Sequence, residues 1–162
     1  MKQVPGVRVL FVCTSNICRS PTVEGVFRSM AAQSGLTNVQ VDSAATHDFH
    51  VGAHPDERAI LAARRRGIDI AELRARMVCG ADFERFDWIL AMDRTNLATL
   101  EAMRPKEFAG WLGLLLDLVP ESGLKEVPDP YFGGVQGFER VLDLAEAASA
   151  ALVGKLAAAR GR

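Results

Sequence analysis

Residues 7–21 read VRVLFVCTSNICRSP, an apolar run set directly against a polar turn that holds two thiols and an arginine. Cys13 and Arg19 stand at the ends of that turn with five residues between them. A strand-to-helix turn of this length can curl into a cup whose backbone N–H groups face inward over a helix N-terminus, a setting that attracts a dianion. The same N–H groups and helix dipole favour a thiolate at Cys13 and make it nucleophilic at neutral pH. Arg19 stays charged, and its fork can grip two oxygens of a phosphate at once. Nucleophile, oxyanion cradle and clamp within seven residues point to phosphoryl transfer through a phosphocysteine. Taken alone, a Cys-x5-Arg spacing equally suits a buried cysteine at a strand end followed by a surface arginine.

The elements around the turn must hold it open. Val7–Val12 is β-branched and apolar on both faces, which predicts a strand in the middle of a sheet. Val23, Val26, Phe27, Met30 and Ala31 recur at helical spacing, with Gly35 as the stop and Ser20 and Pro21 as expected N-cap and first helical residue. The alternation continues with a strand over Val39–Ser43, a helix over Asp56–Arg66 ended by Gly67, a strand over Trp88–Met92 and a helix from Thr95 to Met103. A fourth strand is placed within Trp111–Leu116, although WLGLLLDL also fits a helical period. Phe138, Val141, Leu142, Ala145, Leu152, Val153 and Leu156 define one face of a long C-terminal helix. Strands alternating with helices predict an α/β domain with a parallel sheet covered on both faces.

The composition bounds the partners. With 162 residues, 49% of them hydrophobic, the chain can bury one substantial core, and a single domain over residues 1–162 is expected. Lys and Arg total 19 against 20 for Asp and Glu, a net charge of -1 that supplies no overall field for nucleic acid or anionic lipid. Neither a nucleic-acid nor a membrane partner is expected, because no apolar stretch approaches the ~18 residues of a membrane span. Three cysteines cannot all pair, and a chain of this length needs no disulfide staples, so they read as reduced thiols of a cytoplasmic protein. His47, His50 and His54 invite a metal reading, but Gly52 and Pro55 forbid one continuous helix and no carboxylate or thiolate completes a set. No metal and no cofactor are expected. Arg64, Arg65 and Arg66, with Arg74 and Arg76, read as the solvated side of a helix and its exit, with phosphoprotein docking as the alternative.

VCTSNICRSP closely resembles the active-site loop of the low-molecular-weight protein tyrosine phosphatases. The resemblance extends through VDSAATHDFHVGAHPDERA, DWILAMDRTNL and VPDPYFGG, in the family's order and spacing. It implies a three-layer, doubly wound domain with four parallel strands in order 2-1-3-4. The cup then lies at the carboxyl end of the first strand, where open α/β sheets bind ligands. It also implies that Cys13 is the nucleophile, that Arg19 binds the phosphoryl oxygens, and that the backbone of Thr14, Ser15, Asn16, Ile17 and Cys18 completes the cradle. Ser20 would hydrogen-bond the thiolate, while Asn16, which tolerates positive φ, would hold the loop together with Ser43. Asp129, between Pro128 and Pro130, is the implied proton donor for a leaving oxygen whose parent phenol has a pKa near ~10. Gly133 and Gly134 offer its loop a hinge.

Substrate choice follows from depth, since a pocket walled by rings accepts phosphotyrosine and lies beyond the reach of phosphoserine. Phe49, Tyr131 and Phe132 are the expected walls. Phe49 stands where the family often has tryptophan, Phe132 where it often has tyrosine, Ser15 where it frequently has glycine, and Glu72 near its frequent histidine. These departures are expected to tune rate and preference. The implied partners are tyrosine-phosphorylated proteins, a tyrosine kinase as counterpart, and phosphate or vanadate as ligands.

Cys18 shares the loop with Cys13 and can be its disulfide partner under peroxide, or simply a small buried hydrophobe. Asp56 and Arg58 read as a helix cap with an ion pair, and Asp93 as a support for the loops. The competing functions are a thiol-linked arsenate reductase, which needs a further pair of downstream cysteines where this sequence has only Cys79, and a non-catalytic phosphotyrosine-binding module.

Overall fold

The computed structural model describes residues 6–131 and 133–160, so the wall predicted at Phe132 lies outside the described residues. Strand β1 (Val7–Cys13) runs through the centre of the sheet, flanked by β2 (Val39–Ala45) and β3 (Trp88–Ala91), with β4 (Trp111–Leu114) beyond β3. All three pairings are parallel and the order is β2-β1-β3-β4, as expected. Val9, Phe11 and Cys13 turn to one face, and Leu10 and Val12 to the other. A central strand must be apolar on both sides because helices cover both. On the first face lie α1 (Arg19–Gln33), α2 (Glu57–Arg65) and the long α5 (Val135–Arg160); Phe138, Val141, Leu142, Ala145, Leu152, Val153 and Leu156 are all buried there. The second face packs on the short α3 (Asp82–Arg85) and on α4 (Arg94–Met103).

The start of α1 differs from the expectation. Cys18, and not Ser20, occupies the N-cap position, and no side chain caps the helix there. The Ser20 hydroxyl is engaged instead with Cys13 and Asn16. Pro21 thus becomes the third helical residue, still within the first turn where its missing N–H has no intrahelical partner to lose. An early start draws the helix N-terminus up against the polar turn. WLGLLLDL satisfies both of its readings: β4 ends at Leu114, and a 3-10 turn follows over Leu115–Leu118.

Two helix ends fix the crossovers. Gly35 (φ 73°) and Gly67 (φ 79°) take left-handed conformations just past α1 and α2, where a side chain would be strained. Arg64 and Arg65 are exposed as expected, but Arg66 is not a solvated charge. It reaches Glu139 at 2.7 Å, and Asp143 and Glu146 at 3.1 Å each, and so clasps α2 to α5.

Candidate active site

The polar turn leaves β1 at Cys13, and its carbonyls are tied outward. Thr46 N donates to Cys13 O, His47 N to Thr14 O and Asp56 N to Ile17 O, at 3.0, 3.0 and 2.8 Å. No described peptide is cis, and a trans peptide sets its N–H opposite its C=O. The N–H groups of Thr14, Ser15 and Cys18 are thereby turned to the other side, and all three residues line a cavity of about 290 Å³. Asn16 carries the turn's positive φ of 60°, and its N–H points at Cys13 Sγ at 3.3 Å. Ser15 has no positive φ, so this loop makes no conformational demand for glycine there.

A buried network fixes the thiol from below. Asn16 Nδ2 donates to Ser20 Oγ at 2.7 Å and to Ser43 Oγ at 2.9 Å, while Asn16 Oδ1 accepts from Arg76 N at 3.1 Å. With its oxygen already accepting from Asn16, Ser20 has its proton free for Cys13 Sγ, 3.0 Å away. Ser43 in turn donates to Glu24 Oε1 at 2.6 Å, and Arg28 reaches Glu24 Oε2 at 2.6 Å. The network therefore ends on Glu24 and Arg28 of α1 and not at residue 72; Glu72 is exposed. Burial raises the Glu24 carboxyl above its usual range, against the hydrogen bonds from Ser43 and Arg28.

Arg19 is 3% exposed and points into the same cavity. Its NH1 donates to Asp93 Oδ2 at 2.8 Å and to the Val127 carbonyl at 3.1 Å, and its NH2 to Thr14 Oγ1 at 3.3 Å. Burial by itself would lower its pKa, yet its interactions with Cys13 and with the Asp93 carboxylate outweigh that and raise it. Asp93 also caps α4 by accepting from Asn96 N at 2.8 Å, so one carboxylate aims the guanidinium and starts a helix. Asn96 adds a second N–H to Thr14 Oγ1, at 3.2 Å.

Asp129 reaches the site from the loop that precedes α5. Its Oδ2 lies 3.7 Å from Arg19 NH2 and its Oδ1 accepts from Tyr131 N at 3.1 Å, while half of the side chain stays exposed. Tyr131, Phe49 and His50 form the mouth of the cavity. Phe49 is 66% exposed and stacks on His47 with centroids 5.0 Å apart, and the His50 ring sits 6.4 Å from that of Tyr131. His50 escaped the sequence reading, which weighed it only as a metal ligand. Only the packing of its loop against Tyr131 brings it to the mouth. Cys18 is buried in the same turn as Cys13, and burial together with the charges of Asp56, Cys13 and Asp129 pushes its thiol far up. Cys79 is exposed and does not line the cavity.

Residues 8–161 match the family described as low molecular weight phosphotyrosine protein phosphatase. The Bacillus subtilis low molecular weight protein-tyrosine-phosphatase YfkJ is 42% identical over 85% of this chain and 88% of its own. A Streptomyces coelicolor protein of the same description is 43% identical, with 90% and 91% covered. The crystal structure of YfkJ superposes with a TM-score of 0.88, covering 96% of this chain and 98% of its own at 37% identity. A protein tyrosine phosphatase from Entamoeba histolytica, crystallised with Hepes in its active site, superposes with a TM-score of 0.90 at 36% identity, covering 96% and 99%.

Proposed function

The chain belongs to the low-molecular-weight phosphotyrosine protein phosphatase family, and from that premise we propose that it hydrolyses protein phosphotyrosine, and small aryl phosphates, through a phosphocysteine on Cys13. The observation that carries this reading is the single cavity that holds Cys13, Arg19 and Asp129 together under Phe49 and Tyr131. The Cys13 thiolate attacks phosphorus as the bond to the tyrosine oxygen breaks. Arg19 and the N–H groups of the turn hold the phosphoryl oxygens, and Asp129 delivers the proton that the departing phenolate needs. Water then attacks the phosphocysteine, Asp129 takes its proton, the P–S bond breaks, and inorganic phosphate leaves with the thiolate restored.

Asp129→Asn should slow phosphorylation of Cys13 by roughly 10²–10⁴-fold for a leaving group as basic as tyrosine, and far less for a strongly electron-poor aryl phosphate. An equal loss across the leaving-group series in that step would mean that Asp129 shapes the loop or binds substrate. A kinetic panel of phosphotyrosine, phosphoserine and arsenate separates the competing functions. The reductase needs a further downstream pair, and only Cys79 follows the loop. Turnover of any aryl phosphate removes the purely binding role.

The rest of the reading follows from the same chemistry. The substrates are tyrosine-phosphorylated proteins made by a tyrosine kinase, phosphate and vanadate occupy the cradle, and the whole chain acts as one domain in the reducing cytoplasm. No helix among the described residues is long and apolar enough to cross a membrane. Peroxide oxidises the Cys13 thiolate to a sulfenic acid, which Cys18 captures with loss of water as a disulfide, and a thiol reductant returns both. If Cys18→Ala recovers activity after peroxide and thiol treatment as well as the parent does, that protective role is wrong.

A further inference from the structure

Arg58 joins the two loops that line the cavity, yet it does not line the cavity itself. Asp56 caps α2 and donates its own N–H to Ile17 O in the turn that follows Cys13, at 2.8 Å. The Arg58 fork holds that Asp56 carboxylate with two bonds, Nε to Oδ1 at 3.0 Å and NH2 to Oδ2 at 2.9 Å. Its remaining donors reach across to the loop of Asp129, NH2 to Tyr131 O at 2.9 Å and NH1 to Gly133 O at 3.4 Å. Its flat guanidinium lies 4.8 Å from the ring centre of Phe138, a buried residue in the first turn of α5, and 5.6 Å from that of Tyr131. Tyr131 N completes the path by donating to Asp129 Oδ1. A rigid five-donor fork suits such a four-way junction, whereas an ammonium could meet Asp56 and one carbonyl but not the whole set.

Resting on the assignment of Asp129 as proton donor, we propose that Arg58 is a positioning residue that sets the height of Asp129 over the Cys13 loop. The path Ile17–Asp56–Arg58–Tyr131 ties the segment that carries the acid to the segment that follows the nucleophile. Its effect should fall chiefly on the proton transfer, because the Arg58 side chain hydrogen-bonds Asp56, Tyr131 and Gly133 and neither Cys13 nor Arg19. A misplacement of about 1 Å costs on the order of 10² in rate, and that loss should fall where the proton matters.

The test is single-turnover phosphorylation of Cys13 in the full chain, for the parent, Arg58→Ala, Arg58→Lys, Asp129→Asn and the Arg58→Ala/Asp129→Asn double variant. Aryl phosphates from electron-poor to tyrosine-like serve as substrates. The expected result is a loss of about 10–100-fold in Arg58→Ala for the basic leaving groups, shrinking toward unity for the electron-poor ones. No further loss is expected on top of Asp129→Asn, and binding of inorganic phosphate should be unchanged. Arg58→Lys should lie between parent and Arg58→Ala, and it carries the test if the alanine variant does not fold. A uniform loss across the series, or a full additional loss in the double variant, overturns the proposal and leaves Arg58 a fold-stabilising ion pair. Unchanged aryl phosphate kinetics with weakened turnover of acidic phosphopeptides overturns it in favour of surface docking. If Asp129→Asn itself loses equally across the series, the acid assignment fails and this proposal falls with it, a result read from that variant alone.

Discussion

At the scale of residues, the site depends on hydroxyl and amide protons that each have one place to go. Ser20 accepts from Asn16 and can therefore donate to Cys13, and Ser43 accepts from Asn16 and donates to Glu24. Serine at position 13 would fit the same space but is hardly ionised at neutral pH. Cys13→Ser should therefore stay folded, show no measurable aryl phosphate turnover, and still gain thermal stability from added phosphate through binding to the native state alone. Residual hydrolysis near the parent rate, followed in a continuous assay, would remove Cys13 from the role of nucleophile. Cys13 and Arg19 could be singled out as candidates because they lie within one turn of chain, and the family resemblance chose between the two readings of that spacing; the structure puts both in one cavity. Asp129 became a candidate only through the family's resemblance, since an aspartate between two prolines is otherwise a common turn; the structure brings it to the cavity of Cys13 and Arg19. Arg58 was read correctly as the partner of Asp56, but its bonds to Tyr131 and Gly133 span 73 and 75 residues, and no local pattern encodes them.

At the scale of elements, the four strands and the longer helices were read within one or two residues at most ends, because hydrophobic period and glycine stops are local signals, while the four-residue α3 was not predicted. The start of α1 was misread because a capping residue and a network residue look alike in sequence, and Ser20 serves the network. The link between α1 and β2 has a testable consequence. Glu24 is 2% exposed and its folded pKa is raised by burial above the value of about 4.5 that it has in the unfolded chain. Between those two values the native state holds a proton that the unfolded chain has released, so this group's contribution falls as pH rises through the window. Asp56 works in the opposite sense: its carboxyl is lowered chiefly by the hydrogen bond from Arg58, so its contribution is present above its unfolded value and lost as pH falls. Glu24→Gln keeps an acceptor for Ser43 and removes the charge. The difference in Tm between variant and parent should grow with pH above about 4.5. A difference that stays flat would mean that Arg28 fully compensates the buried charge.

At the scale of the whole molecule, the sheet delivers Cys13 at the carboxyl end of β1, and the loops that carry Phe49, His50, Asp129 and Tyr131 meet at the cavity there. Stability and chemistry are thereby separated in space. Leu142, fully buried where α5 packs on the first face, lies in the core and not in the cavity. Leu142→Ala should cost about 2–5 kcal/mol of stability, read in a denaturant melt, while the folded enzyme keeps its kcat. A matched collapse of kcat well below the melt would show that the core sets the site's geometry more tightly than the hydrogen-bond network does. The central claim is the covalent intermediate, and rapid acid quench with peptide mass spectrometry tests it most directly. During the first turnover of an electron-poor aryl phosphate, one phosphoryl group should appear on Cys13 as the phenol is released, and it should decay as inorganic phosphate forms. Release of the phenol with Cys13 unmodified throughout, or with the phosphoryl group on another residue, would contradict the account.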